Sequence, residues 1–471
     1  MQTSFKIGIG VIIAAAIGGT AWVLTKKQEP QPTSTSVAMT ETEGTGDKVV
    51  DRLIAGPDVI TSLTFDCTPR NEHERYRTDR TLVVDPTDPN IMYINVEWKG
   101  VYKTTDGGQT WAQKVKGIKV YANKDDTTKG CYSEYPVIKM DPNDHLHLVL
   151  GASGGGGGNL SLKEPNSQTG GAYQSFDGGE TWKMMINSKM NFYLNDVAFD
   201  SKNPATIYYG TSSNPASWQG SDQNKIYVKD GLVYKTTNNG KTWTELPTGI
   251  GQNSAATFVM VNPKNPEELV VPTYSAKRLS ADGTGTGVST GKDFSVAQMG
   301  ILHSLDGGNT WSKLTDIPGN PSLVYGAFAS TDFTHMFFRV DGQTADTIAG
   351  YVTSDGGTTW KKTKYLDLVS YDPHDPTAMH MVGYTTVVVG PGSQALHMWE
   401  SKDGGVTWSK LGTLPKEITD ATNTPYRPTQ IEWHPTDKNT FYMTGGGGHI
   451  WKTTDLARTW STLLSVEKLP K

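Results

Sequence analysis

The hydrophobic positions of this chain fall in short runs, each closed by a polar turn, and the runs recur in a fixed order. In the first instance Leu82-Val83-Val84 leads into Asp85-Pro86-Thr87-Asp88-Pro89-Asn90, and Ile91-Met92-Tyr93 follows. This predicts two short strands about a Pro-containing turn. Related segments occupy 138–150, 197–209, 258–271, 368–381 and 431–442, while 326–338 keeps Asp332 but lacks the proline. Downstream of each lies a third run and a second signal, Lys103-Thr104-Thr105-Asp106-Gly107-Gly108-Gln109-Thr110-Trp111 in the first copy. Seven copies centre on Asp106, Asp177, Asn238, Asp306, Asp355, Asp403 and Asp455, at intervals of 48 to 71 residues. The box supplies a third strand before its turn and a fourth after its tryptophan. Four strands per unit and seven units predict an all-β chain folded as a seven-bladed β-propeller over 81–471.

Asp-Gly-Gly between strand-like runs is a tight-turn signal. Glycine takes positive φ without steric cost, the Asp side chain accepts from the turn's own amides, and the tryptophan buries apolar surface beside it. The boxes therefore read as structural staples. Asn238 replaces the Asp in the third copy, and Leu456-Ala457 replace both glycines in the seventh. With strands a to d in each blade, the a–b and c–d turns share one face, and the irregular b–c and d–a connections share the other. Long b–c connections at 151–171, 210–231 and 272–300, with long d–a connections at 116–136 and 412–430, are expected to raise a wall over one side of a central pocket. Variable loops on a rigid scaffold are where sites concentrate.

Composition narrows the function classes. Gly 51 and Trp 13 with 19% charged residues fit a turn-rich β protein. A net charge of −5 leaves no electrostatic footprint for nucleic acid. Residues 7–24 are apolar or small, flanked by Lys6 and by Lys26-Lys27, and at 1.5 Å per residue would span about 27 Å. Residues 1–27 thus read as a membrane anchor, or as a signal peptide with Gly19 and Ala21 near a cleavage site. Either reading puts the propeller on the extracytoplasmic side, tethered to the cell membrane or secreted. Residues 28–50, rich in Pro, Thr, Ser, Glu and Gly, read as a flexible linker, and 51–80 as a lead-in with a strand at 59–65. Cys67 and Cys131 form either one disulfide or two buried thiols.

Ser/Thr-x-Asp-Gly-Gly-x-Thr-Trp resembles the Asp-box, or BNR repeat, of sialidases, sortilin-type receptors, xyloglucanases and photosystem II assembly-factor propellers. The resemblance spans about 81 to 465 and implies the fold; those relatives do unrelated things on it. Sialidases also carry Arg-Ile-Pro near their start, which is missing here. Xyloglucanases place a catalytic Asp in the first b–c loop, in a Tyr-x-x-x-Asp-x-Gly-Gly-x-Tyr setting. The matching stretch runs from Tyr93 to Tyr102, with Glu97 where the Asp would stand, Trp98 able to stack on a sugar, and Lys99 for the first glycine. That family joins two propellers, each giving one carboxylate to the cleft, so a single propeller would have to supply both. Asp196, Asp222, Asp230, Asp341 and Glu432 are conceivable partners of Glu97. Ligand contacts are expected from Trp98, Trp218, Tyr274, Arg278, Arg339, Trp399, Tyr426 and Arg427, with Trp433 beside them. The expected partner is a protein or carbohydrate. No cofactor motif is present: the five glycines at 154–158 lack a following Gly-Lys-Ser/Thr, and His145 and His147 imply no third metal ligand.

Overall fold

The computed structural model describes residues 49–51, 59–65, 78, 80–123, 130–132, 134–153, 171–186, 193–212, 233–249, 254–256, 258–275, 301–314, 323–329, 331–341, 349–385, 397–419, 428–465 and 468–469. All lie in one unit, Val37–Lys471. Seven antiparallel blades follow one another along the chain, each built from consecutive strands a to d, with blades 4 and 5 joined into one sheet by pairing of Tyr274 with Leu323. Blade 1 comprises Val83–Val84, Met92–Val96, Gly100–Thr104 and Ala112–Gln113; blade 2 comprises Glu134–Met140, Leu148–Ser153, Gly171–Ser175 and Lys183–Ile186. Blade 3 runs through Tyr193–Phe199, Ile207–Ser212, Val233–Thr236 and Thr242–Glu245. Blade 4 divides its first strand into Ser254–Ala256 and Met260–Val261, then adds Leu269–Ser275, Ile301–Ser304 and Ser312–Lys313. Blade 5 is Leu323–Ala329, Met336–Asp341, Ala349–Thr353 and Lys361–Thr363. Blade 6 is Leu368–Tyr371, Met381–Thr385, His397–Ser401 and Ser409–Thr413; blade 7 is Pro428–Trp433, Phe441–Gly445, His449–Thr453 and Ser461–Leu464.

The a strands of neighbouring blades approach one another and line the central channel. Val49–Asp51, at the expected boundary of linker and lead-in, adds a fifth strand to the outer edge of blade 3. Val59–Phe65 is a strand, as its β-branched run predicts, and pairs parallel with Val120–Asn123, which pairs in turn with Gly130–Tyr132.

Seven hydrophobic clusters fill the spaces between blades, one in each gap. Trp243 and Trp451 are fully buried within them. Because every blade is sandwiched by two others, strand b is enclosed on both faces, as in Met92–Val96 and Phe441–Gly445. Strands buried on both faces read as continuous apolar runs, which is what the sequence shows.

The staple turns explain their own composition. In blade 1 the Thr110 amide and hydroxyl donate to the two oxygens of Asp106 (2.9 and 2.6 Å), and Trp111 Nε1 donates to the Gly108 carbonyl at 3.1 Å. The hydrogen bond from the Thr110 side chain, with the others, holds the Asp106 carboxyl down to about 2. Asn238 keeps the pattern by reversing one bond, donating Nδ2–H to Thr242 Oγ1 at 2.8 Å. In all seven blades an amide of this turn donates to a carbonyl of the same blade's a–b turn, from Gly107 to Asn90 through to Leu456 to Asn439, at 2.8 to 3.0 Å. Both turn sets therefore occupy one face. Neighbouring blades are clamped there too: Tyr93 Oη and Lys103 Nζ both donate to the Gly178 carbonyl of blade 2, and Tyr208 with Lys235 repeat this onto Gly307 of blade 4.

The ring closes between blades 7 and 1 by side-chain packing and hydrogen bonds, with no strand exchanged among the described residues. Tyr442, Ile450 and Leu464 pack on Leu82, Val84 and Trp111, and Gln430 holds both the amide and the carbonyl of Leu82. Gly108 sits at this seam with φ 91, and a Cβ there would come within 2.7 Å of Leu463. Gly108→Ala is expected to cost about 1–2 kcal/mol from the left-handed backbone alone, read as a lowered denaturant midpoint with unchanged slope. In the seventh turn Leu456 and Ala457 hold the same conformation at φ 56 and 62 without glycine.

Candidate functional site

On the face opposite the staples, blades 7 and 1 carry three-residue b–c connections. In blade 1 these are Glu97, Trp98 and Lys99, closed by the Lys99 amide donating to the Val96 carbonyl at 2.9 Å. Trp98 adopts φ 67, a left-handed conformation that is costly for a bulky side chain. The equivalent position in blade 7 is Gly447, at φ 72. The middle residue of each turn is thus left-handed, glycine in one blade and tryptophan in the other, while the turns diverge after it, Gly448 at φ 68 in blade 7 and Gly100 at φ 84 in blade 1. Glu97 is buried, Trp98 half-buried and Lys99 exposed. The turn is backed by the accessory strands: a Cβ at Gly100 would meet Val115 at 2.8 Å and Tyr132 at 3.1 Å. Across the seam His449 Nδ1 lies 3.0 Å from the Gly446 carbonyl and its ring stacks on Trp451 at 5.1 Å.

The lead-in runs into the channel. Thr78 donates to the Gly445 carbonyl of blade 7, and Arg80 bridges to Val137 of blade 2. The Arg80 guanidinium lies 3.3 Å from Asp196 of blade 3 and 4.2 Å from the Phe258 ring centroid. Asp196 is buried and also accepts from the Val259 amide. A segment that sequence alone reads as a polar lead-in thus reaches across the channel and engages Asp196.

Glu432 lies in the channel wall, where burial, only partly offset by Lys139 and by the Gln430 hydrogen bond, pushes its carboxyl up to about 7. Its level can be read from register. Glu432 pairs with Tyr442 as Val83 pairs with Tyr93, and both tyrosines face a lysine at 5.6 and 5.2 Å. Glu97 lies four residues beyond Tyr93, about 13 Å along the strand direction at ~3.3 Å per residue. Glycosidase carboxylate pairs stand about 5–9.5 Å apart. Of the conceivable partners of Glu97, Asp196 is held by Arg80 and Glu432 is too deep. Asp222 and Asp230, and the Asp341 side chain, lie outside the described residues.

The remaining expected contacts separate. Arg339 donates to the Asp367 carbonyl at 3.2 Å and lies 3.7 Å from its carboxylate, pinning the connection from blade 5 to blade 6. Trp399 carries Lys364 Nζ 3.6 Å from its ring centroid. Trp433 is core, buried and donating to Ser370 Oγ at 3.1 Å. Trp218, Arg278, Tyr426, Arg427, Cys67 and the bulk of the long loops expected to form a wall lie outside the described residues, as do the side chains of Tyr274 and Cys131. His145 and His147 belong to the staple face of blade 2, against Asp85 and Asp141. Among the described residues no group of three or more His, Cys, Asp or Glu is placed to hold a metal ion.

The fold and its rim define a seven-bladed β-propeller with structural neighbours among xyloglucanases. The GH74 xyloglucanase from Xanthomonas campestris superposes with a TM-score of 0.55 at 15% identity, over 82% of this chain and 54% of that one. No protein-family profile matches the chain. In sequence it is similar to Xyloglucanase Xgh74A of Acetivibrio thermocellus, 26% identical over 192 residues, which is 38% of this chain and 20% of the relative. A xyloglucanase of a Paenibacillus species is 25% identical over 313 residues, 61% of this chain and 26% of the relative. The chain therefore spans about a quarter or less of the length of these curated relatives.

Proposed function

We propose that this propeller captures a polysaccharide chain at the rim of blades 7 and 1 and holds it without cleaving it. The carrying observation is Trp98, kept at φ 67 in a three-residue turn beside the bare Gly446–Gly448 turn. The half-buried indole is the usual partner of a sugar's apolar face, and the neighbouring turn, itself buried, sets no side chain against it. The similarity to xyloglucanases supports a β-glucan as ligand. Residues 7–24, which lie outside the described residues, support delivery beyond the cytoplasm and retention at a membrane. Among the described residues no helix is long and apolar enough to cross one.

The test is capture of xyloglucan oligosaccharides by calorimetry. Trp98→Ala is expected to weaken it about tenfold or more, on the scale of one aromatic anchor. Trp98→Gly, which relieves the backbone, should behave alike. Glu97→Gln should leave capture intact. A second reading, glycoside hydrolysis, is favoured by the place of Glu97 in the xyloglucanase-like stretch. Release of reducing ends by the wild-type chain, abolished in Glu97→Gln, would establish it and sink the first.

A further inference from the structure

Between blades 5 and 6 lies a pair of lysines with no counter-charge among the described residues. Lys364 follows the last strand of blade 5, His397 and Trp399 belong to strand c of blade 6, and Lys410 faces Trp399 in register on strand d. Lys364 Nζ sits 3.6 Å from the Trp399 ring centroid, and Lys410 Nζ lies 3.0 Å from His397 Nε2. The carboxylates nearest in the chain are engaged elsewhere: Asp367 pairs with Arg339, and Glu400 with Lys402 and His380. Among the described residues neither Lys364 nor Lys410 has an acidic partner. Burial, then Lys410, lowers the pKa of Lys364; burial, then both lysines, lowers that of His397. The Trp399 indole N–H is enclosed and has no acceptor among the described residues. Lys364 sits on the face of Trp399 while Lys410 donates to the neutral His397 imidazole beside it, and two ammonium groups so placed repel one another and are relieved by a bound anion.

We propose that this cluster is a second glycan subsite that takes the carboxylate of an acidic sugar, held by Lys364 and Lys410 with the sugar ring against Trp399. The site follows from the uncompensated cations alone. The glycan class rests on the reading of the chain as a polysaccharide binder, because anions on other polymers share the chemistry.

The full chain is titrated with an oligogalacturonate, a sulfated oligosaccharide of equal length, a poly-glutamate peptide and a neutral xyloglucan oligosaccharide. Oligogalacturonate should bind, weaken on raising salt, and lose about tenfold or more with Lys364→Gln or Lys410→Gln, the scale of one charged hydrogen bond. Lys410→Arg should retain it, and Trp98→Ala should leave it unchanged. Neutral xyloglucan should show the opposite pattern, so loss of the Trp98 site alone would count against the rim and not against this one. Tighter binding of the sulfated sugar than of the uronate would overturn the assignment of a carboxylate ligand. Poly-glutamate binding as tightly as the uronate, or uronate binding indifferent to both lysine substitutions, would overturn the proposal.

Discussion

Replacing Arg80 with alanine is expected to remove about 3–5 kcal/mol of folding stability, the usual cost of stripping one partner from a buried ion pair. Asp196 is buried, and its described partners are the Arg80 guanidinium at 3.3 Å and the Val259 amide at 3.2 Å. Without Arg80 its charge stays enclosed, and the Phe258 ring loses the cation 4.2 Å from its centroid. The double variant Arg80→Met with Asp196→Asn should recover much of the loss, since it leaves no charge behind. Chemical denaturation of the three variants measures this. A loss below about 1 kcal/mol for Arg80→Ala would mean that the pair is solvated and the channel open.

Glu432→Gln should do the reverse and stabilise the protein at alkaline pH. The Glu432 carboxyl is raised from 4.5 to about 7 in the folded chain. The folded state therefore holds its proton more tightly than the unfolded state. Stability is complete below the unfolded pKa and drains away as pH climbs to about 7. Glutamine keeps a hydrogen-bond acceptor for Gln430 Nε2, which lies 3.0 Å from Glu432 Oε2, and carries no charge to desolvate. The gain at pH 8 should be up to about 3 kcal/mol, from 1.36 kcal/mol per unit, with no gain at pH 4. Glu432 keeps some accessible surface, and solvent screening there holds the gain below that figure. Lys139→Met should deepen the effect in the native protein by removing the one cation that favours the carboxylate. A stability curve that Glu432→Gln leaves unchanged between pH 4 and 8 would place Glu432 in water.

The architecture was legible because its signals are local and repeated. A turn needing positive φ calls for glycine, so the boxes announce seven hairpins, and the Asp-Pro turns announce the others. The strand at Val59–Phe65 was legible for the same reason, a β-branched run. Long-range partnerships were not legible. Nothing in the charged segment before Leu82 says that Arg80 will reach blades 3 and 4, because that contact depends on how the ring curves. Arg339 and Trp399 look alike in sequence as candidate ligand residues. The fold gives the first a carboxylate and the second a lysine that has no acidic partner among the described residues. Trp98 stands out in the sequence by its ring, but the strain that singles it out lives in the backbone and is invisible in composition.

The seam between blades 7 and 1 has a consequence for assembly. Leu82 and Gln430 stand 348 positions apart, so their mutual hydrogen bonds cannot exist until the chain has emerged as far as blade 7. Earlier sheets must stack as an open arc whose two ends expose apolar flanks to solvent. The final sheet then acts as a keystone: it buries both flanks at once, and the circle gains its cooperativity only when that last piece drops into place.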